Sequence, residues 1–278
     1  MSVQQEYIQW LADIAAETCA EASRHLRAVK EPNTNYLGDD VDRETLRAIE
    51  RLHARPETAE RMSVSQVAQL QELAYWRWTA FEGYGQNDPR AFAWSQRLFM
   101  TTSFMRTGWS VSELKDWAIV EIGCGPLGMV EFLPGRRRVG FDPLNRHYDR
   151  LFSKVRRGGV EYTDDLESVL AGDAGSFDLG ICFNVLDHTV EPRALFDAFM
   201  SLIAPGGRFL VQVNTVRDGY ARSEAHSQMH PSPFTSEKIA SWLAAASDDL
   251  STFLADTPSA DNEFFFMGWG SRAVGGEV

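Results

Sequence analysis

The sequence predicts an α/β protein: a mostly parallel sheet of seven strands, preceded by an N-terminal α-helical cap. Three observations predict it. Over the first 115 residues apolar side chains recur at three- and four-residue spacing, the period of one buried helix face. Beyond residue 116 short apolar runs alternate with helical stretches, the rhythm of βαβ units around a parallel sheet. The last two apolar runs have no helix-length segment between them, so they pair as antiparallel strands at one sheet edge.

In the cap, Tyr7, Trp10, Leu11, Ile14 and Ala15 mark a first helix, and Leu46, Ile49 and Leu52 a second over about 42–54. Pro32, Asn33, Asn35 and Gly38 punctuate the gap between them. Val64, Val67, Leu70 and Leu73 set a third helix over about 63–81, which Gly83, Gly85 and Asn87 break. Asp88-Pro89 then reads as an N-cap with proline at the first helical position, opening a fourth helix that runs to about 106. The boundary falls near Trp109–Glu113, dividing a cap of residues 1–115 from a sheet domain of residues 116–278. Strands are predicted at Ala118–Ile122, Arg138–Phe141, Val160–Tyr162, Phe177–Cys182, Phe209–Val213, Leu250–Leu254 and Phe264–Trp269. Helices are predicted between them near 126–132, 144–156, 165–171, 191–203 and 235–246.

Composition narrows the partners. The 278 residues carry a net charge of −12, which repels phosphate backbones and anionic lipid heads and argues against nucleic acid or membrane as partner. Arg136-Arg137-Arg138, the one dense basic run, reads as a solvated strand entry. No run of about 18 apolar residues suits a membrane span, and Met1–Glu6 lacks the basic start and apolar block of a secretory signal. Three widely spaced cysteines form neither a disulfide framework nor a CxxC metal knuckle. A cytoplasmic protein acting on a small molecule, with a homodimer left open, is the simplest expectation. Cys124 and Cys182 read as small buried hydrophobes.

The strongest local signal is Val120-Glu121-Ile122-Gly123-Cys124-Gly125-Pro126-Leu127-Gly128, placed where a first parallel strand ends. Glycines there admit backbone angles closed to other residues and let a ligand approach the main chain. Asp142 follows Gly123 by 19 residues, at the end of the second strand, where an acid accepts hydrogen bonds from ribose hydroxyls. These two features alone fit a nicotinamide-dependent dehydrogenase equally well. Two later motifs do not: Ser176-Phe177-Asp178-Leu179-Gly180-Ile181-Cys182-Phe183-Asn184-Val185-Leu186-Asp187-His188, and Ala204-Pro205-Gly206-Gly207-Arg208-Phe209.

Taken in order, these four motifs resemble the class I S-adenosylmethionine-dependent methyltransferases of the small-molecule type, over about residues 116–270. The resemblance implies a doubly wound, Rossmann-like methyltransferase sheet, with S-adenosylmethionine as cofactor and S-adenosylhomocysteine as product. By the same resemblance Glu121 organises the loop and the amino-acid end of the cofactor, and Gly123 and Gly125 let the main chain pass close to it. Asp142 holds the ribose, with Pro143 or Leu144 against the adenine. Asp165 and Leu166, in Asp165-Leu166-Glu167, read the adenine edge, although Asp164 and Asp165 also suit a helix N-cap. Asn184 lines the methionine end. One departure stands out: the third glycine of the common loop falls at Leu127, with Gly128 beside it.

Methyl transfer from a sulfonium is largely a matter of in-line placement, but an oxygen or nitrogen acceptor still has to lose a proton. His188, just past the fourth strand, is the candidate base, with Asp187 beside it to orient an imidazole or bind substrate; a polar helix cap is the competing reading. His226 and His230 stand four apart, a metal-ligand spacing only on a helix, and Pro231 argues against a helix there. No metal is therefore expected. His230 is assigned instead to the acceptor pocket, with Thr235 capping the next helix. Trp78 and Tyr84, in the aromatic stretch 75–85, are candidate lid residues facing the acceptor, against a plain packing role. The function expected is methyl transfer to a small organic acceptor, with a sugar or secondary-metabolite hydroxyl favoured. The alternative is a methyltransferase-like subunit that binds cofactor without turnover.

Overall fold

The computed structural model describes residues 2–13, 16, 62–81, 89–153, 155–156, 158–218, 224–259 and 262–274. The second cap helix and Tyr84 lie outside these residues, as do Ile14 and Ala15 of the first. Helix α1 covers 3–13, α2 Val64–Phe81 and α3 Pro89–Met105. A 3-10 turn at Ser112–Asp116 leads into strand β1, Ala118–Ile122. There follow β2 Arg137–Phe141, α4 Asn145–Phe152, β3 Glu161–Thr163, α5 Leu166–Asp173, β4 Phe177–Phe183 and α6 Pro192–Leu202. The chain continues with β5 Ile203–Thr215, α7 Glu224–Met229, α8 Ser236–Ala246, β6 Ser251–Leu254 and β7 Phe264–Ser271.

The seven strands form one sheet in the order β3-β2-β1-β4-β5-β7-β6. The first five pair in parallel, and β7 runs antiparallel to both β5 and β6. The predicted sheet is thus observed, edge pair included. Between β1 and β4 the strand order reverses, and in such sheets ligands bind outside the carboxyl ends of the strands at that crevice. Alternation along β1 assigns its faces. Ala118, Val120 and Ile122 join the core under α6 and α8, built on Phe196, Phe199, Ile239 and Leu243. Ile119 joins the opposite core, where Leu73, Phe92 and Phe104 of the cap helices meet Ile181, Leu210 and Met267 of the sheet. Glu121 shares the parity of Ile119 and Gln212 that of Leu210, so both polar side chains belong to the cap face.

Two predicted elements are corrected. Instead of a helix at 126–132 there is one 3-10 turn, Met129–Glu131. Its backbone wraps a buried acid: Val130 N–H donates to the Glu121 carboxylate at 2.7 Å, and a Cβ on Gly128 would overlap that carboxylate. Pro134 and Gly135 end the segment before a second turn. The other correction is α7, in the stretch expected to be non-helical. Pro231 falls after its last turn, where the missing N–H is not required of the helix, and His230 N–H still reaches His226 C=O at 3.1 Å. Among the described residues no helix is long and apolar enough to cross a membrane.

Candidate active site

The loop after β1 is fixed from both sides. Gly123 N–H donates to Phe141 C=O at 2.7 Å, tying loop to β2, while Gly125 N–H and Leu144 N–H each donate to Asp142 at 2.9 Å. Gly123 and Gly125 take φ values of 67° and 57°, left-handed conformations that glycine adopts at no steric penalty. A Cβ on Gly123 would also overlap Val185. From the far side, Arg156 donates through Nε to Pro126 C=O at 2.9 Å and through Nη2 to Gly125 C=O at 3.2 Å and Asn145 Oδ1 at 2.9 Å. Its guanidinium lies 3.8 Å above the Tyr162 ring centre. Burial dominates the two acids here, pushing Glu121 up to about 8 and Asp142 up to about 7.

Beside this loop, between the cap and the carboxyl ends of β1, β4 and β5, opens a cavity of about 650 Å³, within the range of small-molecule sites. Of the sequence-predicted site residues, Glu121, Gly123, Gly125, Asn184, His188, His230 and Trp78 line it. Asp142, Pro143, Asp165 and Leu166 do not; they stand at the ends of β2 and β3. Asp165 there caps α5, accepting from Ser168 N–H at 3.0 Å. Asp187, fully buried, sits behind the cavity wall, and its Oδ2 lies 2.6 Å from His230 Nδ1. The structure therefore pairs Asp187 with His230 and not with its neighbour His188.

The partner of His188 is Glu72, a residue the sequence reading missed. Glu72 lies on α2, its Oε2 2.6 Å from His188 Nδ1 and its Oε1 accepting from Trp76 Nε1 at 2.9 Å. The available signal was a carboxylate beside Leu73 on the apolar stripe, one helical turn before a tryptophan. Burial alone would strip the proton from His188, but Glu72 and then Asp187 outweigh it and lift His188 to about 9. Burial opposes the charge on Glu72 and Asp187 as well, yet their histidine partners hold both below the ordinary carboxylate range. His230, buried and close to the His188 charge, is held below the usual histidine value. Glu263 and Gln212 also line the cavity and were not anticipated.

These residues fit S-adenosylmethionine. The Asn184 Oδ1 and Gln212 Oε1 atoms are buried, have no hydrogen-bond partner among the described residues, and belong to side chains lining the cavity, where a ligand's N–H or O–H groups would satisfy them. Asn184 itself adopts φ 58°, a left-handed turn that asparagine tolerates, at the exit of β4. Phe99, Phe183 and Phe265 meet in mutual contacts of 5.7–6.2 Å between ring centres and form an apolar wall. Both Cys124 and Cys182 are buried, and burial pushes their thiols up, away from nucleophilic use.

Known proteins resemble this chain in the same direction. It is 31% identical over 109 residues to a ubiquinone biosynthesis O-methyltransferase of Xanthomonas axonopodis pv. citri, covering 37% of this chain and 46% of that one. The bovine mitochondrial ubiquinone biosynthesis O-methyltransferase is 24% identical over 151 residues, covering 50% of this chain and 39% of that one. The chain thus spans about half or less of the length of these relatives. Among solved structures, a phosphoethanolamine N-methyltransferase 2 from Haemonchus contortus, in complex with S-adenosylhomocysteine, superposes with a TM-score of 0.51 at 14% identity, covering 76% of this chain and 61% of that one. The CurJ carbon methyltransferase gives 0.50 at 14% identity, covering 84% and 68%. At such identities these two show the fold. The family model for a methyltransferase domain matches residues 40–247, most of the chain, and the protein belongs to that family.

Proposed function

We propose that this methyltransferase moves the methyl group of S-adenosylmethionine to a hydroxyl oxygen of a small organic acceptor. The observation that carries the reading is a single cavity reaching from the glycine loop at the strand-order reversal to the Glu72–His188 pair. When bound, the cofactor supplies a methyl group already activated on a sulfonium. Glu121 shapes the loop that receives its amino-acid end. Asp142 keeps lone pairs for the ribose hydroxyls beyond those spent on Gly125 and Leu144. Asn184 and Gln212 orient polar groups, and the three phenylalanines exclude water from the transfer path. His188 takes the acceptor's proton in its neutral form, with Glu72 holding the ring through Nδ1; because that pair lifts His188 to about 9, the transfer rate should climb with pH toward that value. Asp187 acts one step removed, as the positioning residue of His230. An oxygen acceptor is supported by the O-methyltransferase names of the sequence relatives.

The test is methyl uptake from labelled S-adenosylmethionine onto panels of phenolic and sugar hydroxyls. The expected result is transfer to one class, with His188→Asn lowering kcat by roughly 10²–10⁴-fold while S-adenosylhomocysteine still binds. Cofactor binding without uptake on any acceptor would favour a subunit without turnover, and no cofactor binding would sink the reading.

A further inference from the structure

We propose that His226, His230 and Glu263 form a binding site for a divalent transition-metal ion at the acceptor end of the cavity. Because α7 is helical through Met229 and closes on His230, the two histidines are one helical turn apart and share a face. Their rings stack at 4.2 Å between centres, 18° from parallel. Glu263, on the loop entering β7 and 2% exposed, brings a carboxylate oxygen to 3.0 Å from His226 Nε2. One ligand atom from each of the three lies within 4.8 Å of the other two. Four-coordinate zinc, with bonds of 2.0–2.2 Å, spaces its ligand atoms about 3.4 Å apart. The His226–Glu263 pair, at 3.0 Å, is slightly tighter than that spacing, and the triad's other ligand-atom separations, all within 4.8 Å, are slightly wider or close to it.

The arrangement behind the triad is that of a metal site and not only of a buried ion pair. Asp187 Oδ2, 2.6 Å from His230 Nδ1, is the carboxylate that metal-ligating histidines characteristically engage with their second nitrogen; it fixes the tautomer with Nε2 as the ligating atom. All three candidate ligands line the cavity, so a fourth position faces the space assigned to the acceptor. Two imidazoles and one carboxylate suit zinc, cobalt or ferrous iron, whereas magnesium prefers an oxygen shell. An ion there would sit next to His188, whose ring centre is 4.1 Å from that of His230.

The experiment uses the full chain, free of any histidine tag and stripped with chelator, without cofactor or acceptor. It is titrated with Zn²⁺ alone by calorimetry and with Co²⁺ alone by visible absorption, so the readout is separate from methyl transfer. Expected are one ion per chain and the d–d bands of low-coordinate cobalt. His226→Gln and Glu263→Gln, each checked for folding by circular dichroism, should weaken binding at least ~100-fold, and Asp187→Asn by ~10–100-fold. Absence of stoichiometric binding would overturn the proposal. So would binding that the folded His226→Gln and Glu263→Gln variants retain, since the ion would then lie elsewhere.

Discussion

Glu121 carries two demands at once: it must be buried to organise the loop, and burial opposes its charge. With Glu121 raised from 4.5 to about 8, the folded protein holds a proton that the unfolded chain has already lost across that window. Stability of the ligand-free protein therefore falls as pH rises from about 4.5 to 8, by up to about 1.4 kcal/mol per pH unit from this group. Asp142, raised from 3.8 to about 7, adds a fall of the same sign at lower pH. Glu121→Gln keeps an oxygen for Val130 N–H and removes the titration. Its stability should run flatter than wild type between pH 5 and 8 and exceed it at pH 8.5, read from thermal melts across pH. Parallel profiles for the two proteins would refute the burial argument. The glycine loop and its acid were legible because the chemistry needs particular residue types at one spacing. Glu72 was not: its place beside Leu73 and one turn before Trp76 hints at burial, but only when α2 is laid across the sheet does that carboxylate meet His188.

At the scale of elements, the loop after β1 does the work that a helix was expected to share. A single 3-10 turn cannot stiffen the eleven residues from Gly123 to Leu133, and Arg156 supplies what is missing by bridging two loop carbonyls from the segment after α4. Lysine has one compact charge and cannot span Pro126, Gly125 and Asn145 together. Arg156→Lys should weaken S-adenosylhomocysteine about 10-fold with only a modest loss of melting temperature. Unchanged affinity would mean that the loop holds its shape without the clamp. The basic run at 136–138 makes a related point about legibility. Arg136 and Arg137 are surface ion-paired, with Asp178 at 3.3 Å, and with Glu161 at 2.9 Å and Asp173 at 2.6 Å. Arg138 turns inward to the carbonyls of Val130, Glu131 and Leu133. Strand alternation places Arg137 and Arg138 on opposite faces; the partners of the run, up to 42 residues away, were invisible before the sheet order was known. Helix α7 was missed for a more local reason, since proline forbids a helix through itself but not one that ends just before it.

For the whole molecule, the sequence divides a cap from a sheet domain near residues 109–113, yet the core does not respect that line. Phe104 of α3 meets Trp10 of α1 and Trp109 at ring-centre distances of 6.1 Å each, and Tyr7 Oη donates to Trp109 C=O at 2.5 Å. Phe92 contacts Trp76 of α2 on one side and Phe152 of α4 on the other, both at 5.7 Å. Cap and sheet thus share one continuous apolar cluster, with Leu73, Phe92 and Phe104 in contact with the layer built on Ile119, Ile181 and Leu210. Elements that share a core unfold together, because neither retains its buried surface when the other leaves. Calorimetry should therefore show one cooperative transition for the full chain. Phe104→Ala should lower stability by about 3–5 kcal/mol, roughly 10 °C in Tm, while leaving that transition single. Two separated transitions, with only the lower one moved by the substitution, would mean that the cap is an independent unit. The cavity would then lie between bodies free to part, whereas one transition means that Trp76 and Glu72 are held over the glycine loop by the same free energy that keeps the sheet folded.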